Sequence, residues 1–434
     1  MTIPASVPSA CSNLDDVSGG HALRCLTDPF SFKRSFMSTN AAPTESNLTL
    51  FPAVGLGLGV AVSVGLARFA YALLLPAMKE SLNWDYVAAG SLNTANALGY
   101  IIGAVSAYFM LRKIRPSQLF ITGLLLTIVA VLATGLRSDL LWLTSTRLLA
   151  GIGAAWVFAC GGALVAARYH AHQTLRRVAT GLFFAGAGIG IAVSGLVVNP
   201  IIAALGNPAW PTAWLALGVV AAIASVWPIM EASRIAGEAN AVSSGALNLR
   251  GLMPGMLAYF LFACGYIVYM TFIFAWIQAQ GLSWMFGTAA WFVLGSGVAV
   301  SPFIWRRALD KWNPAVILAA SCFVTLLGAL LPAFFASAPS IILSTALFGS
   351  GMFIAPSSVA VLVHRTLESN QWAKGITLFT VVFSFGQAIG PIGAGWIADS
   401  EGLTRSLYFG AALLAVASGL ALIGLGSISA RMQD

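Results

Sequence analysis

Charge is what this chain has least of: 8% of its 434 residues are Asp, Glu, Lys or Arg, against about 25% in a soluble domain. With 59% hydrophobic residues and a mean hydropathy of +0.87, no aqueous fold could hide so much apolar surface, so a lipid bilayer is the solvent. Carboxylates are scarcer still. All 14 Asp and Glu residues fall in loops, tails or the ends of apolar stretches, with Glu80, Asp85, Asp139, Asp310 and Asp399 nearest the membrane. That absence argues against a simple buried carboxylate relay for protons. The five cysteines include no CxxC pair, and Cys160, Cys264 and Cys322 lie inside apolar segments, which speaks against a disulfide framework or a zinc site. His21, His170, His172 and His364 sit in the tail or in loops, so neither a metal nor a histidine relay is expected. No HExxH, GxSxG or P-loop sequence occurs, so neither an enzyme nor an ATP-driven pump is indicated, and no cofactor is expected. The net charge of +8 invites a nucleic-acid partner. The cations, however, sit in short loops between apolar segments, where membrane topology accounts for them and nucleic acid is not needed.

What the chain does have is a series of long apolar runs. Residues 1–50 are polar and lack the 7–15-residue apolar core of a secretory signal; they read as a disordered cytoplasmic extension, with Met37 opening a shorter leader. Segments long enough to span follow near 52–76, 87–110, 117–136, 140–167, 178–204 and 211–230, then near 252–280, 284–305, 314–336, 340–363, 374–398 and 405–427. The expectation is an all-α membrane protein of twelve transmembrane helices. An N-terminal six-helix bundle spans 51–230, a linker 231–251, and a C-terminal bundle with a short tail 252–434. One side collects Arg24, Lys33, Arg34, Arg112, Lys113, Arg115, Arg168, Arg176, Arg177, Arg234, Arg250, Arg306, Arg307, Lys311, Arg365, Lys374 and Arg431; the other receives Lys79, Arg137 and Arg405. By the positive-inside rule both termini are cytoplasmic, in a plasma or bacterial inner membrane.

The halves repeat. Gly65 and Phe69 recur 200 residues on as Gly265 and Tyr269, and Gly186, Gly190 and Gly195 recur as Gly386, Gly390 and Gly395. Gly151 and Gly153 recur as Gly349 and Gly351. Because six spans separate the partners, the repeat is parallel, as in carriers that rock around a midplane site.

Several stretches carry a family likeness: RFAYALLLP (68–76), ANALGYIIGA (95–104), GYIVYMTFI (265–273), WRRALDKWN (305–313) and GQAIGPIGAGWIAD (386–399). With twelve spans and a six-plus-six repeat, the chain after residue 50 resembles the major facilitator superfamily, in its YbfB/YjiJ-like branch. The resemblance implies a transporter of that fold. The superfamily's loop signature, G-x-L-x-D-R-x-G-R-R, is degenerate between spans 2 and 3, where Gly103 and the basic cluster persist without the acidic residue. Between spans 8 and 9 it keeps Asp310 and Lys311, with Asn313 where glycine is usual, which implies a gate-latch role for Asp310. TSTRLLAGIGAA (144–155) resembles the span 4 signature whose arginine is linked to proton coupling, a position taken by Arg147. The GQAIGP run resembles a glycine–proline kink usually found in span 5, displaced here to span 11.

The residues themselves point to a site. Arg68 is the one charge between Phe51 and Leu75, about 16 Å along the helix from Lys79 at 1.5 Å per residue. An arginine at that depth costs roughly 2.5–3.5 kcal/mol on insertion scales, so it faces a bundle interior or a watery cavity. Two readings stand, a solute-facing cation favouring an anion and a structural arginine capping carbonyls; Tyr71 shares its face. Arg147 divides between coupling and a helix–helix hydrogen-bond hub. Asn93, Asn96 and Tyr100 fall on one helix face, as cavity lining or interhelical glue. Tyr266 and Tyr269 on span 7, and Phe383 with Gln387 on span 11, divide between cavity lining and packing. Gly186, Gly190, Gly386, Gly390 and Pro391 read as moving parts, allowing close helix contact and a kink.

The functional expectation is a secondary-active or facilitative carrier of a small organic, anionic solute by alternating access, monomeric in the bilayer, with a proton or counter-solute as coupling partner. Drug or metabolite efflux and a non-transporting membrane sensor of the same fold are the alternatives. A sensor would call for a large cytoplasmic output domain, and the linker and tail are short.

Overall fold

The computed structural model describes residues 49–235, 252–368 and 371–431, with side chains as far as residue 423. The expected extension 1–50 and most of the linker 231–251 lie outside the described residues. Among those residues there are helices and no strand. In chain order they are α1 (Phe51–Ser81), α2 (Tyr86–Met110), α3 (Pro116–Thr134), α4 (Leu140–Arg168), α5 (Gln173–Leu205) and α6 (Asn207–Arg234). The second set is α7 (Met253–Ala279), α8 (Trp284–Lys311), α9 (Pro314–Phe334), α10 (Ala338–Thr366), α11 (Trp372–Glu401) and α12 (Leu403–Arg431). Eleven of these are long and apolar enough to cross a membrane on length and composition. The exception, α2, is long enough at 25 residues, but Asn93, Thr94, Asn96 and Tyr100 make it too polar to qualify. α6 continues to Arg234, one turn past the expected boundary.

The two sets build alike. α1 packs on α5, and α7 on α11; α2 packs on α4, and α8 on α10. The repeated glycines make these contacts. A Cβ on Gly186 or Gly190 would lie 1.9 or 2.1 Å from the carbonyl oxygens of Gly57 and Ala61 on α1. On Gly386 or Gly390 it would lie 2.5 or 2.7 Å from those of Phe260 and Cys264 on α7. Only glycine admits backbones at that distance, and dispersion contacts of this kind drive helix association where lipid supplies no hydrophobic force.

Two cross-pairs join the sets, α2 with α11 and α5 with α8, and the end of α1 (71–81) lies against α7. Under the repeat, α2 corresponds to α8 and α5 to α11, so the two cross-pairs are equivalent. The face where α1 begins and α12 ends is called the terminal face here, and its opposite the far face. Gly206, Gly281 and Gly402, with φ of 79°, 71° and 91°, end α5, α7 and α11 at the far face, as left-handed glycines commonly end helices.

Candidate functional site

α1 changes register in its middle. Residues Ala61–Phe69 are π-helical, closed by Ala70 N–H on the Gly65 carbonyl, and the α-helix resumes at Tyr71. Such stretches displace side chains from the ordinary helical register and concentrate at functional places. Arg68 lies in the last turn of this one. Its carrier segment is buried throughout, and Arg68 itself is 6% exposed.

The Arg68 guanidinium crosses to the other half, donating from Nη2 to Oε1 of Gln387 on α11. Gln387 in turn donates from Nε2 to the Tyr266 hydroxyl on α7. The amide is thereby oriented at both ends. Pro391 lies four residues after Gln387 and supplies no N–H, so the Gln387 carbonyl lacks its usual partner in the helical ladder. The guanidinium also lies over the rings of Tyr100 on α2, at 5.0 Å, and Phe69, at 5.9 Å, a cation–π arrangement that stabilises a buried cation. Among the described residues Arg68 has no acidic partner. Three helices from both sets thus meet near their midpoints on one cation.

Arg147 occupies a different setting. It is 1% exposed and donates to the carbonyls of Ala67 and Arg68, at the C-terminal end of the π-helical stretch, where helix carbonyls carry partial negative charge. Its guanidinium lies 5.2 Å from the Tyr71 ring centre and 5.4 Å from that of Trp214. The Tyr71 hydroxyl donates to the Ala89 carbonyl at 2.6 Å, and Asn96 donates to the Arg147 carbonyl at 2.9 Å. Arg147, Tyr71 and Asn96 therefore tie α1, α2 and α4 together behind Arg68.

The other expected residues separate. Asn93 donates to Thr271 of α7 at 2.8 Å, a second bond across the halves. Tyr269 faces into the second set, bonded to Ser344 at 2.6 Å and stacked on Phe348 at 3.9 Å. Phe383 lies parallel to Tyr259 and Tyr266, at 4.7 and 5.5 Å, and Phe262 stacks on Tyr266 at 5.2 Å. Tyr259 and Phe262 were absent from the expected site, although they lie seven and four residues before Tyr266 on the same helix face. Gly103 packs against Ile152 and Ala155 of α4, and Lys311 is exposed at the end of α8.

Both faces carry ties between the halves. At the far face, the Asp399 carboxylate at the end of α11 accepts from the amides of Tyr86 and Val87, at 2.8 and 3.0 Å, which start α2. Asn199 donates to Thr288 at 2.8 Å, and Trp291 of α8 donates to Ser194 of α5 at 3.1 Å. At the terminal face, Asp310 pairs with Arg177 of α5 at 3.3 Å, both partly exposed. Within the second set, Arg365 of α10 donates to the Trp312 and Asp310 carbonyls at 3.0 and 3.3 Å, steadying the end of α8 that carries Asp310. A Cβ on Gly181, toward that face, would have Pro302 as its nearest neighbour at 3.5 Å, whereas one on Gly188 would collide with the Gly295 carbonyl at 2.3 Å. α5 and α8 are thus in backbone contact at mid-helix and looser toward the terminal face.

Two parallel six-helix sets, joined by equivalent cross-pairs over a buried polar cluster, define a transporter of the major facilitator superfamily and not an enzyme. A crystal structure of the nucleoside transporter NupG, a point mutant, superposes with a TM-score of 0.65 at 12% identity, covering 87% of this chain and 99% of that one. A bacterial homologue of the human lysosomal transporter Spinster, inward-facing and unoccupied, gives 0.64 at 13% identity, over 88% and 98%. Within the superfamily, residues 60–422 match the family described as "Uncharacterised MFS-type transporter YbfB", and the chain belongs to that family. The "Uncharacterized MFS-type transporter YceJ" of Bacillus subtilis (strain 168) is 25% identical over 271 residues, 59% of this chain and 67% of that protein.

Proposed function

We propose that this protein carries a small organic anion across a bacterial inner membrane by alternating access, with both termini cytoplasmic and Arg68 as the cation that receives the solute. The observation that carries the reading is Arg68's pairing: one neutral amide from the opposite half, two aromatic faces and no carboxylate among the described residues. A buried, uncompensated cation is costly, and an anionic ligand that pairs with it recovers the cost. Because Gln387 belongs to α11, a solute displacing it from Arg68 alters the bond between the halves. Binding and rocking are thereby linked.

Arg147 acts as a positioning residue, holding the backbone of the α1 break that presents Arg68. The Asp399 and Asp310 ties are the gates at the far and terminal faces, and the looser α5–α8 packing toward the terminal face fits a state that opens to the cytoplasm. The test is uptake into proteoliposomes over a panel of organic acids, amino acids and dyes, with wild type, Arg68→Ala and Arg68→Lys, with and without a pH gradient. Accepted anions should lose uptake in Arg68→Ala. If dyes or neutral solutes enter and Arg68→Ala moves them with unchanged KM, efflux of apolar compounds replaces the anion reading.

A further inference from the structure

We propose that the solute is a planar aromatic monocarboxylate, its carboxylate on Arg68 and its ring on Phe383; this rests on the reading of Arg68 as the solute's cation.

The charge of the solute follows from the two buried guanidiniums. Arg147 gives both terminal nitrogens to the carbonyls of Ala67 and Arg68, which supply partial negative charge, and at 1% exposed it is closed to a solute. Among the described residues the guanidinium of Arg68 hydrogen-bonds to Gln387, whose amide can be exchanged for a carboxylate oxygen without leaving a buried charge behind. One available cation matches one negative charge. A second carboxylate would be desolvated without a partner, and an unpaired buried charge is strongly unfavourable.

The ring follows from the geometry of α7 and α11. Tyr259, Phe262, Tyr266 and Phe383 form a ladder whose planes lie within 22° of one another. Three of the rings are buried. Phe383 is only half-buried, so of the four residues it is the one with accessible surface. It lies one turn from Gln387 on the same side of α11, about 6 Å along the helix, a span suited to a ring bearing its carboxylate directly. Tyr100 lies under the guanidinium at 5.0 Å and Tyr266 bonds the amide that holds it, so two phenol groups border the cation. Phe383 is on the terminal-face side of Gln387, the side where the α5–α8 contact is looser. A flat ring gains offset stacking on such a face; a saturated ring of the same size and charge does not.

The experiment measures equilibrium binding to protein in nanodiscs with benzoate, cyclohexanecarboxylate, phthalate and benzamide as probes. Wild type is compared with Phe383→Leu and Arg68→Gln. Benzoate should bind about tenfold more tightly than cyclohexanecarboxylate, the upper end of what one aromatic contact provides, and phthalate and benzamide should bind more weakly than benzoate. Phe383→Leu should remove most of the preference for benzoate and leave cyclohexanecarboxylate affinity nearly unchanged. Equal affinity for the two rings in wild type overturns the proposal, as does failure of benzoate to bind or an equal loss of both acids in Phe383→Leu. Arg68→Gln keeps the two claims apart. If it weakens both acids alike while wild type shows no ring preference, the aromatic inference fails and the anion reading stands. If benzamide binds as well as benzoate and Arg68→Gln changes neither, both fail.

Discussion

Removing the Asp399 carboxylate should open the far face. The first four amides of α2 need partners outside its own helical ladder. Asp85 serves Ala88 with its side chain and Ala89 with its carbonyl, while Tyr86 and Val87 depend on Asp399 from the other half. Hydrogen bonds to a charged group contribute roughly 1.5–3 kcal/mol each when well shielded, and a carboxylate at a helix N-terminus about 0.3–1 kcal/mol. This tie is exposed, so water replaces part of it in Asp399→Ala, leaving a net loss of about 2 kcal/mol. At about 1.4 kcal/mol per decade, the ratio of far-face-closed to far-face-open protein should fall about 30-fold. Spin labels at Leu205→Cys on α5 and Met285→Cys on α8, both exposed, report this separation by pulsed electron resonance once the five native cysteines are replaced. A longer-distance population should grow in Asp399→Ala, while α2 keeps the Asp85 cap and its helical content. An unchanged distance distribution would refute the assignment of Asp399 as a gate.

At the terminal face, the Arg177–Asp310 pair is partly exposed, so Asp310→Asn should shift the corresponding equilibrium by no more than about fivefold; labels across that face should show the effect vanishing in 1 M salt. Gly190→Ala sets a Cβ 2.1 Å from the Ala61 carbonyl oxygen and should lower stability by about 1–3 kcal/mol, whereas Gly393→Ala, with nothing within 4 Å, should melt like wild type. Tyr71→Phe loses its 2.6 Å bond to Ala89 and should cost about 1 kcal/mol of stability, with KM for every accepted solute unchanged.

The fold was largely legible in the amino-acid order because bilayer thickness, lysine and arginine placement and a repeat near 200 residues each constrain it separately. α2 tested that reading most severely: its polar face weakens the apolar signal, and the alternation of its neighbours carried the count. The glycine periodicity pointed to close helix contact without naming the partner, and Gly186, Gly190, Gly386 and Gly390 meet α1 and α7 as equivalent pairs. The site was legible in its residue types and less so in its partners. Arg68, Tyr100, Tyr266 and Gln387 converge, whereas Tyr71 belongs with Arg147 and Tyr269 with Ser344. Helix periodicity assigns a residue to a face but does not say which neighbour that face meets. The π-helical register of residues 61–69 also rotates the following turn away from an α-helical count. Asp399 and Arg177 were visible as boundary charges. Their partners lie in the opposite half, more than a hundred residues away, and no local pattern joins them.

The most direct test of a solute-binding Arg68 is the Kd of an accepted anion, measured by titration calorimetry on wild type, Arg68→Lys and Arg68→Gln. Truncating one partner of a buried charged pair typically costs about 2–5 kcal/mol, so Arg68→Gln should weaken binding by at least about 30-fold, with Arg68→Lys in between. A Kd in Arg68→Gln equal to that of wild type would contradict the account.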